Sequence, residues 1–229
     1  MTMMIASFLI GACLASFVTV LAQPMTSLWR RSVCDGCGRP LKWFQMIPVL
    51  SSWLLRNRCH HCNHRPSLLY GFVETLTGLM FVLTASVLPL GWPLLITDIF
   101  IVIGLHISLW DWRWRQIPIN DLALLGGLTI LHLMMKGRFP VSSLIMAGLL
   151  FFLCVIWRVR GRPFPLASGD WVLLVITAAW LQPETLPAFL SILGGLGLLS
   201  AILYQKHYST PFFPFAPAIL LATWICLVF

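Results

Sequence analysis

The sequence predicts an all-α polytopic membrane protein with about eight transmembrane helices and one small loop domain outside the membrane. Three observations favour this fold class: 59% of the 229 residues are hydrophobic, only 10% are charged, and the mean hydropathy is +0.89. A soluble domain is about half apolar and about a quarter charged, so no soluble core of this length could bury so much apolar surface. Soluble enzymes, secreted disulfide scaffolds and disordered tails are therefore excluded.

The predicted helices follow from the length of the apolar runs, because a transmembrane helix needs about 20 apolar residues. The runs cover 3–22, 69–89, 93–110, 119–135, 141–157, 170–182, 186–204 and 212–229. The first run lacks the positively charged start of a cleaved signal peptide, so we expect residues 1–22 to form a retained transmembrane helix. The sixth run is short for a full span, so its start should lie below the membrane surface or be shielded by neighbouring helices.

The charges set the expected orientation. Fifteen Lys and Arg stand against seven Asp and Glu, a net charge of +8. In a soluble protein this excess would suggest nucleic acid; here we expect none, because cationic loops orient helices in the lipid bilayer. With both termini outside the cytoplasm, every cation except Lys136 and Arg138 falls on the cytoplasmic side. Segment 23–68 is then a cytoplasmic domain, and 69–229 is a membrane domain of about seven helices.

Four of the seven cysteines form two CxxC hooks in the segment 23–68. They are Cys34, Cys37, Cys59 and Cys62. Two such hooks can supply four thiolates to a tetrahedral zinc ion, which would be structural because no position is left for water. A Cys3His set that uses His60, His61 or His64 is an alternative. Free thiols or disulfides are the remaining interpretations, and a cytoplasmic location argues against disulfides.

Two of the seven acids, Asp111 and Asp170, are candidates for a catalytic pair. Asp111 ends the third predicted span and Asp170 begins the sixth, so the topology places both at one membrane face. Two neighbouring carboxylates in a partly dry site do not readily both ionise, so one can accept a proton from water while the other donates one. The simpler alternatives are pairing of Asp111 with Arg113 or Arg115, and capping of the sixth helix by Asp170.

The other acids divide by position. Glu74 lies inside the second span, one turn from Tyr70, and an acid at membrane depth suggests function. Asp98 lies in the third span, as a polar contact between helices or near the outer surface. Asp121 is expected in the first turn of a helix. The two acids expected to be solvated are Asp35 and Glu184.

Short motifs follow one another along nearly the whole chain. In order they are Gly11 with Ser16-Phe17, Cys34-x2-Cys37, Ile47-Pro48-Val49-Leu50-Ser51, Arg56-Asn57-Arg58-Cys59-x2-Cys62, Tyr70-Gly71-Phe72-Val73-Glu74, Asp111 seven residues before Pro118, Ala167-Ser168-Gly169-Asp170, and Pro214-Phe215-Ala216-Pro217. Each motif is weak alone, but their order and spacing are specific. Together they resemble the bacterial prepilin peptidases, or type IV leader peptidases, which are GxGD-type aspartic proteases.

This resemblance implies an eight-span enzyme of the bacterial cytoplasmic (inner) membrane. Such enzymes remove the basic leader of type IV prepilins or type II secretion pseudopilins at the cytoplasmic face, and many then methylate the new N-terminus with S-adenosylmethionine. By resemblance, Asp111 and Asp170 form the catalytic dyad, and the cysteine cluster belongs to a domain linked to methylation and leader recognition. The residues expected to support the substrate or the backbone are Gly169, Glu74 and Tyr70.

Several positions depart from the family pattern. Ala167 replaces the first glycine of GxGD, but Gly169 and Asp170 remain, so peptidase activity is expected to survive. Thr19 and Gln23 replace the asparagine and arginine of the first loop, which leaves methylation open. The alternatives are a GxGD intramembrane protease with other substrates, a proton-coupled transporter that uses the two acids as a relay, and a non-catalytic zinc-ribbon scaffold.

Overall fold

The computed structural model describes residues 2–23, 33–34, 36–42, 46–53, 58–59, 61–62, 64, 68–162, 166–207 and 213–229. The α-helices in these residues are α1 (Thr2–Leu21), α2 (Leu50–Trp53), α3 (Leu69–Val87), α4 (Trp92–Trp114), α5 (Ile119–Lys136), α6 (Val141–Val159), α7 (Ser168–Ala178), α8 (Leu186–His207) and α9 (Ala216–Val228). The described residues contain no β-strand, only an isolated bridge between Val33 and Pro40. The all-α prediction is confirmed.

The chain folds as two compact units, Met1–Val102 and Ile103–Phe229, with the boundary inside α4. The predicted divisions after residues 22 and 68 stay predictions. Among the described residues, α1, α3, α4, α5, α6 and α8 are long and apolar enough to cross a membrane. The protein is therefore a multi-pass membrane protein, as its composition predicts.

Two apolar helices are shorter than a full span. The sixth predicted span is α7, which has 11 residues, and its shortness is expected from the sequence. The eighth is α9, which has 13 residues and begins at Ala216 rather than near residue 212. Phe213 precedes Pro214, and the residue before a proline disfavours the helical conformation. A 13-residue helix covers about 20 Å, less than the roughly 30 Å hydrocarbon core.

In the first unit, α1 and α3 pack closely through two reciprocal glycine–phenylalanine contacts. A Cβ added to Gly11 would lie 2.8 Å from Cγ of Phe81. A Cβ added to Gly78 would lie 2.8 Å from the ring of Phe8 and 3.0 Å from its carbonyl oxygen. Small residues let membrane helices approach until backbone and side chains are in van der Waals contact. Each helix thus offers a glycine surface to a phenylalanine of the other.

In the second unit, α9 is a central helix. Its side chains are buried around most of its circumference, from Ala216 to Val228, which is typical of a core helix rather than a lipid-facing one. It packs against α7 and α8, and Leu220 lies 3.2 Å from the position of a Cβ on Gly104 of α4. A helix enclosed in this way need not cover the full membrane thickness.

Replacing Gly78 with alanine should weaken the α1–α3 contact, because the new methyl group would overlap the Phe8 ring and backbone. Overpacking of this kind destabilises by about 1–3 kcal/mol. We expect a lower thermal unfolding midpoint for Gly78→Ala in detergent, followed by circular dichroism. Gly148→Ala in α6 is the matched control, since no described atom beyond its own stretch of helix lies within 4 Å of an added Cβ. An equal loss of stability in the two variants would contradict this account of the packing.

Candidate functional site

The four cysteines of the CxxC hooks converge in the first unit. The Sγ atoms of Cys34, Cys37, Cys59 and Cys62 all lie within 4.8 Å of one another. The close pairs run between the hooks: Cys34 and Cys62 are 3.6 Å apart, and Cys37 and Cys59 are 3.8 Å apart. These sulfurs are too far apart for disulfide bonds, which measure about 2.05 Å, and all four cysteines are free.

This geometry fits a tetrahedral metal ion. Four sulfurs held at about 2.3 Å from a central zinc ion define edges of about 3.8 Å, close to the two cross-hook distances. For the Cys3His alternative, His60 lies outside the described residues, and Nδ1 of His61 accepts a hydrogen bond from Arg39 Nη1 at 2.9 Å. Among the described residues, the cluster that could hold a metal ion consists of the four cysteines that the spacing predicts.

Each of the two hooks is closed by an equivalent backbone hydrogen bond. The Cys34 N–H donates to the carbonyl of Arg39 at 2.8 Å, and the Cys59 N–H donates to the carbonyl of His64 at 3.0 Å. In both, the first cysteine reaches the residue five positions later. Gly38 turns the first hook with φ +68°, a conformation that glycine adopts without steric strain. The pair of hooks is therefore a repeated structural unit.

Backbone N–H groups also point at the cysteine sulfurs. Gly36 N–H donates to Cys34 Sγ at 3.4 Å. Hydrogen bonds from the backbone of His61 and then of Cys62 lower the pKa of Cys59 to about 6. The thiolate is the form that binds metal ions, and these backbone N–H groups stabilise it at Cys59.

Asp111 lies near the end of α4 and is buried, with 5% of its surface exposed. Its Oδ2 accepts a hydrogen bond of 3.0 Å from the N–H of Ala216, the first residue of α9. The first N–H groups of a helix lack intrahelical partners and carry partial positive charge, so they stabilise a carboxylate. Asp111 therefore has a backbone partner at the start of α9, whereas the guanidinium of Arg115 lies over the Tyr204 ring at 5.9 Å.

Asp170 is half-buried in the first turn of α7. Its carboxylate accepts a hydrogen bond from the backbone of Ala167, and it interacts electrostatically with Asp111. The hydrogen bond from Ala167 agrees with the capping role that the sequence offers as an alternative, while the catalytic pairing with Asp111 stays a prediction. The structure brings two carboxylates together at the N-terminal ends of α7 and α9.

Gly169 lies directly before Asp170, where α7 meets the turn between α4 and α5. A Cβ added to Gly169 would lie 3.4 Å from the Cβ and Cδ1 atoms of Ile117. This glycine therefore allows close packing of the Ile117 side chain beside the carboxylates.

Glu74 and Tyr70 belong to the first unit. Glu74 is buried, and its Oε2 accepts a 2.8 Å hydrogen bond from the N–H of Val49. Val49 has φ +64°, which is strained for a β-branched residue. The Tyr70 hydroxyl accepts a 3.3 Å hydrogen bond from Gln23 Nε2. Glu74 thus links the motif at residues 70–74 to the motif at residues 47–51, and it stabilises the backbone turn before α2.

The remaining acids differ in their surroundings. Glu184 is exposed, and Asp98 is half-buried, with no hydrogen-bond partner for its Oδ1 among the described residues. Asp35 lies outside those residues. Asp121 occupies the first turn of α5 as predicted, but it also bonds His106, with 2.7 Å between Oδ2 and Nδ1. His106 is not predicted from the sequence; a histidine within an apolar run near an acid is the signal that could have identified it.

Comparisons with known proteins agree with these motifs. Residues 9–88 match the family model described as the bacterial peptidase A24 N-terminal domain. The chain is 30% identical to the prepilin leader peptidase/N-methyltransferase of Aeromonas salmonicida (strain A449) over 208 residues, which cover 86% of this chain and 71% of the relative. The relative from Aeromonas hydrophila is 30% identical over 90% of this chain and 73% of its own length. The relative from Neisseria gonorrhoeae is 27% identical over 85% of this chain and 69% of its own length. No solved structure matches the chain.

Replacing Glu74 with alanine should open the turn at Val49, because the strained backbone loses its hydrogen-bond acceptor. Loss of a buried acceptor leaves the donor unsatisfied, at a cost of about 1–3 kcal/mol. We expect faster amide hydrogen exchange at residues 46–53, measured by mass spectrometry. Glu184→Ala removes an exposed acid and should leave this exchange unchanged. Unaltered exchange in Glu74→Ala would contradict the proposed stabilisation.

Proposed function

Since the chain belongs to the prepilin leader peptidase/N-methyltransferase family, we propose that it is a membrane-embedded aspartic endopeptidase. Its substrates are type IV prepilins or type II secretion pseudopilins, from which it removes a basic leader. The observation that carries this proposal is the pair of interacting carboxylates, Asp111 and Asp170. They lie on α4 and α7, each with a backbone hydrogen bond at a helix N-terminus.

The proposed mechanism uses one ionised and one protonated aspartate. The ionised carboxylate takes a proton from a water molecule as the water oxygen attacks the scissile carbonyl carbon. The protonated carboxyl donates its hydrogen to the carbonyl oxygen, which gives a tetrahedral diol. As the C–N bond breaks, the aspartate that took the proton from water donates it to the leaving amine, and the other aspartate takes a proton from a hydroxyl of the diol. This restores one ionised and one protonated carboxyl. Two adjacent carboxylates favour this division because their like charges oppose double ionisation.

We place the active site at the cytoplasmic face of the bacterial inner membrane. The excess of cations in alternate loops supports this orientation. Both aspartates lie near helix ends, Asp111 close to the end of α4 and Asp170 in the first turn of α7. A substrate could thus keep its apolar helix in the bilayer while its basic leader stays in water.

We propose that the four cysteines of the hooks hold a structural zinc ion. The distances between the four sulfurs suit tetrahedral coordination, and a bound zinc ion would cross-link the two hooks. Methylation with S-adenosylmethionine is also proposed, from the names of the relatives. Thr19 donates to the Ser16 carbonyl and Gln23 to the Tyr70 hydroxyl. The neutral Gln23 stands where the family pattern has the cationic arginine. No step of methyl transfer is assigned to these residues.

Asp111→Asn and Asp170→Asn should each abolish leader cleavage, since an amide can neither accept the proton from water nor replace the shared acid. We expect the rate to fall by about 10²–10⁴, with the protein still inserted in the membrane. The assay incubates purified enzyme with a prepilin and S-adenosylmethionine and determines the mass of the product by mass spectrometry, so that cleavage and methylation are both measured. Asp98→Asn, in the same helix as Asp111, is the control. Wild-type cleavage by either dyad variant would refute the assignment.

Cys59→Ser should remove the zinc ion, because serine does not provide a thiolate. We expect metal content to fall from about one ion per chain to near zero, measured by plasma mass spectrometry on purified protein, together with faster proteolysis of 23–68. Cys154→Ser, which alters a free cysteine in α6, should change neither. Unchanged metal content and unchanged proteolysis in Cys59→Ser would show that the four-thiolate site is wrong.

A further inference from the structure

The hydrogen bond between His106 and Asp121 links α4 to α5 in the second unit. The Nδ1 and Oδ2 atoms are 2.7 Å apart, and the two side chains are only 22% and 13% exposed. A carboxylate only accepts, so the Nδ1–H of His106 donates. The His106 ring also lies 5.8 Å from that of Trp110, one turn later on α4. The catalytic mechanism proposed above does not use this polar pair.

The position of the pair constrains the chain between the two helices. His106 lies eight residues before the end of α4 at Trp114, a rise of about 12 Å. Asp121 lies only two residues after the start of α5. The hydrogen bond therefore requires segment 115–118, the connecting segment, to return this distance. Arg115 reverses the chain with φ +53°, and Pro118 has the extended values φ −62° and ψ 129°. Three extended residues after Arg115 cover about 10 Å, and the two bonded side chains span the rest. The connecting segment therefore runs back beside the last turns of α4, which carry Asp111.

The connecting segment contacts the backbone at Asp111 and the residue next to Asp170. At its start, the N–H of Arg115 donates to the carbonyl of Asp111 at 2.8 Å. Near its end, Ile117 packs 3.4 Å from the Cβ position of Gly169, next to Asp170. A shift of this segment would therefore move one aspartate relative to the other.

We propose that His106 and Asp121 are a positioning pair that closes the loop between α4 and α5 and so fixes the separation of Asp111 and Asp170. This inference rests on the proposed function of the two aspartates. His106 and Asp121 do not touch the reacting atoms; they act through the connecting segment. Their loss should affect the chemical step more than substrate binding, because catalysis depends on alignment to within about 1 Å.

The test measures kcat and KM for prepilin cleavage in pair variants. His106→Leu should lower kcat about 10- to 100-fold, the scale expected for a displacement of about 1 Å, with KM nearly unchanged. His106→Asn places an amide donor near the position of Nδ1 and should recover most of kcat. The double variant of His106→Leu with Asp121→Ser should be no slower than the slower single variant, since both remove one interaction.

Ser142→Ala is the matched control for general destabilisation. It removes a 2.7 Å hydrogen bond from the Ser142 hydroxyl to the Leu181 carbonyl, which is buried in the same unit. We expect this variant to unfold at a lower temperature while kcat stays at the wild-type value. An equal loss of kcat in Ser142→Ala and His106→Leu would overturn the positioning role.

The remaining outcomes also decide the question. A kcat within about twofold of wild type in His106→Leu, or losses in the two single variants that add in the double variant, would overturn the inference. If His106→Leu does not accumulate in membranes, Asp121→Ser gives the same decision, because serine preserves a polar first turn of α5 but withdraws the carboxylate. Active Asp170→Asn would refute the proposed function itself, whereas inactive Asp170→Asn with fully active pair variants would refute only the positioning pair.

Discussion

The hydrogen bond from the Ala216 N–H to Asp111 is the interaction on which the second unit depends. Ala216 is fully buried, and the first N–H groups of a helix have no partner within the helix. Where water is excluded, such a group needs an acceptor from elsewhere in the protein. Asp111 supplies it across 105 positions of sequence. The carboxylate satisfies the start of a central helix within the core, and the same bond holds that carboxylate in place.

The same requirement explains most polar side chains in the helices. Buried threonine hydroxyls donate to the carbonyl four residues earlier: Thr84, Thr97, Thr129, Thr177 and Thr223. Trp180 Nε1 in turn donates to Thr129 at 2.8 Å. Such bonds satisfy the hydroxyl locally and leave no chemistry to perform. The pairs Asp111–Ala216, His106–Asp121 and Glu74–Val49 are different because each has an acid as its acceptor and joins separate parts of the chain.

The sequence predicts those features that depend on composition or on local spacing. Apolar content determines the fold class, and two CxxC spacings are enough to predict the cysteine cluster, because each hook closes within six residues. The length of α9 is less accessible: its apolar run suggests a full span, while its burial within the unit removes that need. The partners of Glu74 and His106 could not be predicted, because their bonds depend on a strained turn at Val49 and on a connecting segment that folds back along α4.

The long separation between Asp111 and Ala216 has a consequence for biosynthesis. The ribosome synthesises Asp111 more than 100 residues before the helix start that binds its carboxylate. Until α9 enters the membrane, the carboxylate lacks this partner, and the geometry of the aspartate pair is incomplete. The aspartic protease activity proposed for this pair therefore requires the insertion of α9, the last helix of the described residues.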